Sequence, residues 1–394
     1  MRISVADRRA RLAVRHQLAP SCRAKSVEDT AERLVGLHAT DSASVVLSSW
    51  ARSADRDCVT SGLDQALYAQ RTLHRMHCMR RTLFVVPTHL APVLHASTTR
   101  DVAARERAGV LKLLAATGPE RDAAWLAAAE DAALAALRRL GEAGTLEITA
   151  EVPELQQTIV MSPGKRYEAI QRVGSAVLRL LAMDGRVRRS RPIGGWTSGQ
   201  FRYEVAQEPP DIDPDHARAD VVRRWLACYG PGTTDDVKWW TGWPVKDVRK
   251  ALARIGAREV DLEEGTGWVT PDDADTSDTS DMDADTEEPW AALLPTLDPA
   301  TMGWKHRDWY VDPALRPQLY DTAGNGGPTV WWNGEIIGAW AQRADGEVVW
   351  RLLVDRGTEA REAVRAEAHN LQTWLAHHRY TVRYSTPLTR ELTA

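Results

Sequence analysis

The four cysteines of this chain, Cys22, Cys58, Cys78 and Cys228, are scattered, with no CxxC pair and no metal-ligand spacing. That argues against a structural zinc site and predicts a reducing cytoplasm as the setting. No apolar run approaches the ~18 residues of a membrane span. Met1 leads straight into a charged helical pattern, without an apolar signal region. Phenylalanine is nearly missing, two residues against sixteen tryptophans, so indole rings furnish most of the aromatic core. What remains is a chain of 394 residues with ordinary hydrophobic and charged content, long enough for roughly two to four domains.

The formal charge of −4 conceals a segregation. Residues 271–288 hold nine acids and no base, and without them the rest of the chain stands at +5. Residues 1–100 carry fifteen Lys/Arg against eight Asp/Glu, with six of the eleven histidines, and residues 165–202 carry nine against two. Charge parted in this way suits a polyanion partner. The acidic run itself reads as a disordered loop.

One unit is clearest at residues 214–270. Pro214–Tyr229 has helical apolar spacing, Gly230-Pro231-Gly232 breaks it, and Thr233 or Thr234 caps a short helix that ends at Gly242. Pro244 opens a third helix with an apolar stripe at Val245, Val248, Leu252 and Ile255. Strands are expected at Arg258–Leu262 and Trp268–Thr270. Three helices and a hairpin make a winged helix. The same order is legible at 120–205 (helices 120–141 and Arg172–Met183, strands Arg186–Arg191 and Gln200–Val205). It is legible again at the front, in helices 4–18, 27–37 and Ser42–Ala51 and strands Thr72–Met79 and Thr82–Val86. The repetition is of pattern only. Beyond the acidic run the period becomes two, with Asn333-Gly334 and Asp345-Gly346 as hairpin turns, then a helix at Glu359–His377 and a last strand at Tyr380–Tyr384.

The expectation is an α+β fold of three tandem winged-helix domains followed by a small C-terminal β-barrel. The divisions fall at 1–100, 101–210 and 211–270, with the acidic loop at 271–288 and the barrel at 289–394.

Four stretches, Gly36-Leu37-His38-Ala39-Thr40-Asp41, Met79–Pro87, Tyr229-Gly230-Pro231-Gly232-Thr233 and Gly327-Pro328-Thr329-Val330, together with Trp239-Trp240 and Trp331…Trp340, resemble the bacterial AlkZ/YcaQ-like winged-helix DNA glycosylases. The resemblance runs from about residue 5 to residue 390. It implies three winged helices and a β-barrel, monofunctional release of alkylated purines, especially bulky N7 adducts and crosslinks, and in some members protection of an antibiotic producer. The family's catalytic motif, Gln-apolar-Gln or Gln-apolar-Asp, falls on His38-Ala39-Thr40, and both outer positions depart from it.

An N7-alkylated purine is already cationic and leaves without a general acid. What remains is to place a water and to stabilise an oxocarbenium-like sugar. Neutral His38 is able to accept a hydrogen bond from that water, Thr40 to orient it, and Asp41 to set negative charge beside the sugar. Each has a plainer reading. Val27, Ala31, Leu34, Val35 and His38 share a helical face, which makes His38 a core-edge histidine. Asp41 stands where an N-cap of the next helix belongs, and Thr40 belongs to the turn. No lysine lies in the motif, which disfavours a Schiff-base lyase.

Phosphate contacts are expected from Arg71, Arg75, Arg80, Arg81, Arg188, Arg189, Arg191, Lys246, Arg249 and Lys250. Trp196, at the tip of a basic hairpin, is placed to probe a groove or to fold back on its own domain. His74 and His77 lie three apart on a strand and face opposite sides, so they share no metal with Cys78. No metal and no cofactor are implied. The expected partner is double-stranded, damaged DNA, and the expected form is a monomer in the cytoplasm at the nucleoid. Two functions stay open: a DNA N-glycosylase, and a non-catalytic winged-helix regulator or damage sensor. A purely structural array is remote.

Overall fold

Helix α1 (Val5–Arg15) starts on Ser4, whose hydroxyl and the Asp7 carboxylate cap each other's backbone N–H groups. The computed structural model to which it belongs describes residues 1–162, 164–166, 168–275 and 288–394. It mixes helix and sheet throughout. After α2 (Val27–Arg33) the chain forms a short strand β1 (Leu37–His38), then α3 (Ser42–Arg52), α4 (Val59–Asp64), β2 (Leu73–His77) and β3 (Leu83–Pro87). The antiparallel sheet has the order β1-β3-β2.

This order recurs. A long helix α5 (Arg100–Thr117) leads to α6 (Ala123–Leu140), β4 (Glu142–Gly144), α7 (Thr145–Glu151), a separate hairpin β5 (Thr158–Met161) and β6 (Ala169–Arg172), α8 (Val173–Met183), β7 (Val187–Pro192) and β8 (Phe201–Val205). A third time it runs α9 (Pro214–Tyr229), β9 (Gly232–Thr233), α10 (Thr234–Thr241), α11 (Val245–Arg254), β10 (Arg258–Leu262) and β11 (Gly265–Val269). The sheets β4-β8-β7 and β9-β11-β10 repeat the order first, third, second. In the third unit Thr233 is the cap, Gly242 ends α10 in the left-handed region at φ +78, and Pro244 stands just before the first helical residue. The second strand starts three residues earlier than its apolar pattern, because Glu263 and Glu264 alone make the turn.

Helix α1 packs against α9 of the third unit as well as on the core of the first. Its leader adds to the third sheet, with Ile3 N–H on the Asp261 carbonyl at 3.0 Å, and Ile3 packs with Val260, Leu262 and Val269. Arg8 holds Glu264 at 2.6 Å. The acidic run is ordered where it begins. Pro271–Asp275 form a helical turn, α12, and Asp273 is clasped by Arg11 at 2.8 Å and Arg15 at 2.6 Å. The rest of the expected loop, 276–287, lies outside the described residues.

The C-terminal part corrects the expected barrel. Strands β12 (Ala291–Leu294), β13 (Thr329–Trp332), β14 (Glu335–Gln342) and β15 (Val348–Leu352) form an open antiparallel sheet in that order. Asn333-Gly334 makes the tight turn at positive φ. Helix α13 (Gly357–Leu375) lays Ala360, Val364, Leu371 and Leu375 against the sheet, so a helix covers the apolar face that curling would otherwise hide. Tyr380–Tyr384 is irregular rather than a strand, and Pro387–Thr393 forms a last helix, α14. No described helix is long and apolar enough to cross a membrane.

Candidate active site

Helix α2 ends four residues short of its apolar pattern because Val35 and Gly36 take positive φ, +57 and +116. The Gly36 N–H returns to the Ala31 carbonyl at 2.8 Å. A Cβ at Gly36 would lie 2.8 Å from Val86 Cγ1, so only glycine fits the close approach to β3. His38 therefore sits on a strand paired with Phe84, not on a helix face. Its ring packs against Phe84 at 5.0 Å and is 6% exposed. Burial, reinforced by the Arg80 guanidinium, pushes the imidazole down to about 3. It is neutral at any physiological pH, and its buried Nδ1 has no hydrogen-bond partner among the described residues.

Thr40 continues the pairing. Its Oγ1 accepts from the Leu83 N–H at 3.3 Å, and its carbonyl takes the Arg383 guanidinium at 2.9 Å. Asp41 is the N-cap of α3 and accepts from the Ala43 N–H at 3.3 Å, Ser44 Oγ at 3.1 Å and Tyr380 Oη at 3.5 Å. Burial raises its pKa, against those hydrogen bonds and the nearby Arg383. None of the three side chains hydrogen-bonds another. His38 keeps the company of Arg80 and Phe84, whereas Asp41 faces the C-terminal segment. Tyr380 and Arg383 were invisible to sequence reasoning as neighbours of the motif, since some 340 residues separate them from it and nothing local marks the contact.

The expected DNA-contacting cations divide sharply. Arg75 is 8% exposed, and its Nη1 donates to the Ala39 carbonyl at 3.3 Å, which removes it from the surface set. Arg80 stacks 4.0 Å over Trp239 and is pushed down to about 10 by burial and by Arg307. Arg71 and Arg188 share Glu204, at 2.6 and 2.8 Å. Arg81 holds Glu106, Arg191 holds Asp64, and Lys250 holds Asp215. Arg189 lies 5.4 Å over Phe201. Lys246 and Arg249 on α11 are exposed, and no described residue hydrogen-bonds or ion-pairs with either. Trp196 does not project from its hairpin. It packs on Trp374 at 5.9 Å and on His378 at 5.4 Å. His74 and His77 are pushed down to about 4 and about 3, chiefly by burial. Among the described residues no cluster of three His, Cys, Asp or Glu is placed to hold a metal ion.

The motif thus offers a buried neutral histidine on an edge strand and, facing elsewhere, a buried capping carboxylate, in a fold of repeated three-stranded units. Residues 31–374 match the family described as DNA glycosylase AlkZ-like. The protein is of the class that excises bases from DNA. More narrowly, it belongs to the AlkZ-like DNA glycosylase family, and DNA is its substrate. Among solved structures its fold is similar to that of the Streptomyces sahachiroi DNA glycosylase AlkZ, with a TM-score of 0.69 at 20% identity, covering 97% of this chain and 100% of that one. None of the curated proteins matches the chain in sequence.

Proposed function

We propose that the protein hydrolyses the N-glycosidic bond of alkylated purines, N7 adducts including bulky and crosslinked ones, with His38 holding the water. The observation that carries this is the buried, neutral His38 at the position where the family's motif falls. The C1′–N9 bond breaks as its electron pair returns to the cationic purine, and water oxygen bonds to C1′. A ring nitrogen that titrates near 3 is too weak a base to keep the proton. His38 accepts the water's hydrogen bond and orients it, and the proton passes to solvent.

Asp41 acts through its field, as a carboxylate held in place by its cap, near a sugar that gains positive charge. Thr40 holds the end of β1 through Leu83. We read the three recurrent units as winged helices, with α11 presenting Lys246 and Arg249 to the duplex. The non-catalytic alternative loses ground to the family membership.

The test is base release from a panel of alkylated duplexes. N7-alkylguanine is expected to appear with wild-type protein and to vanish with the His38→Ala, Asp41→Ala double variant. Unchanged release by that variant would sink the assignment. Borohydride is expected to trap no protein–DNA adduct, as the motif carries no lysine.

A further inference from the structure

On the Asp41 side of β1 the structure holds a cavity that the hydrolysis does not use. α3, the turn Gln65–Ala69 and β2 enclose it with the β7–β8 hairpin, and its volume is about 320 Å³. Small-molecule sites span about 300–1,000 Å³ and are mostly apolar with a few convergent polar groups. Here Val46 and Leu67 supply aliphatic wall, and Tyr68, Trp196 and Phe201 supply three rings. The one buried cation is Arg75, 4.7 Å over the Phe201 ring. The turn Gln65–Ala69 is a π-helix, a local irregularity that often accompanies functional sites.

The cavity is tied to the candidate motif. Arg75, in its wall, donates to the carbonyl of Ala39, and Ser42, the residue after Asp41, lines it too. The space thus adjoins the Ala39–Ser42 end of the motif, on the face of the sheet that carries Arg75. The lining selects what kind of group. An anion would find Arg75 already engaged by Ala39, Tyr68 and the Asp41 charge, and the exposed Arg191 paired with Asp64. A purine edge would leave its donors and acceptors unsatisfied against Val46 and Leu67. A flat apolar ring satisfies both the aliphatic wall and the aromatic faces.

We propose that this cavity receives an uncharged aromatic substituent carried on the alkylated purine, and that Val46, Tyr68, Trp196 and Phe201 set the preference for it. The proposal rests on the glycosylase reading above. Trp196, held against Trp374 and His378, then serves as a wall of the subsite rather than a probe of the groove.

The experiment uses the full chain and two duplexes, one with N7-methylguanine and one with N7-benzylguanine. Base release is measured on both, and binding on their slow-cleaving 2′-fluoro forms. Wild-type protein is expected to favour the benzyl duplex by about tenfold or more in kcat/KM and in affinity. Val46→Phe, which fills the cavity, should abolish that preference while leaving methylguanine release within about twofold. Thr60→Phe, at a half-buried lining position that tolerates substitution better, should do the same if Val46→Phe does not fold. Equal handling of the two duplexes by wild type, or a preference that survives filling, overturns the subsite. Release of neither base overturns the glycosylase reading instead, and the subsite is then judged by the two affinities alone.

Discussion

His38 is neutral because the folded chain strips water from it and sets Arg80 nearby, and this has two measurable consequences. Base release is expected to show no inflection near pH 6.5 from this residue, since the imidazole takes a proton only near pH 3. A pH–rate profile that falls through pH 6.5 and is flattened by His38→Gln would contradict that. The second consequence concerns stability. The unfolded chain binds protons at histidines below about pH 6.5, while His38, His74 and His77 in the fold resist them until about pH 3 to 4. The unfolded state thus binds more protons in that window, and stability should fall as pH drops through it. Thermal melts recorded from pH 7 to 4 check the sign. His38→Gln, which keeps a polar group and removes the ring that the unfolded chain protonates, should soften the slope.

Asp41 offers a separation of structural from chemical work at one position. As an N-cap its loss in Asp41→Ala should cost about 1 kcal/mol. Asp41→Asn keeps an acceptor for the Ala43 N–H and removes a charge that burial disfavours, so it should melt at or above wild type. If the carboxylate's field matters to the sugar, the same Asn variant will still lose base release. An Asn variant with full activity assigns Asp41 to the cap alone.

At the scale of elements, the turn between α2 and β1 decides the site. Gly36→Ala places a methyl against Val86 and strains a φ of +116, and it should cost about 1–3 kcal/mol in a denaturant melt. The helical reading of Val27–His38 failed here because apolar spacing does not register backbone handedness. The glycine itself was the only signal in the sequence. The basic segments teach a related lesson. Composition counted arginines, but Arg71, Arg81, Arg188 and Arg191 are matched by acids from other elements, which no local pattern discloses. Lys246 and Arg249 on α11 lack such partners among the described residues. Replacing both with Ala should make DNA binding less sensitive to salt, by about one unit of slope for each phosphate that is no longer neutralised. An unchanged slope would place the DNA on another face.

For the whole molecule, the tie between the first unit and the C-terminal sheet is a wholly buried ion pair. Arg52 meets Asp298 at 2.7 and 2.8 Å with both side chains at 0% exposure, while Ser48 adds a bond at 2.6 Å. Breaking one side strands a charge in the interior, so Arg52→Ala should cost about 3–5 kcal/mol. Tyr380, Arg383 and the Ser44–Thr296 contact all reach the motif across this junction, so the same variant should also depress base release. Full activity at a temperature where the variant stays folded would show that the motif does not depend on it.

The sequence by itself determined the helices of the third unit, their caps and breaks, and the strand turns at Asn333-Gly334 and Asp345-Gly346, because capping, left-handed glycine and period-two patterns act within a few residues. It also marked the stretch around His38 as the place of interest. Tertiary structure alone decided three further things: that the leader of α1 joins the third sheet, that the last sheet stays open under α13, and that His38 and Asp41 part company. Each depends on which surfaces meet, and burial and charge pairing between distant segments leave no trace in local spacing. The neutrality of His38 is of this kind. Its identity is written in the chain, but its protonation follows from Phe84 and Arg80 closing over it.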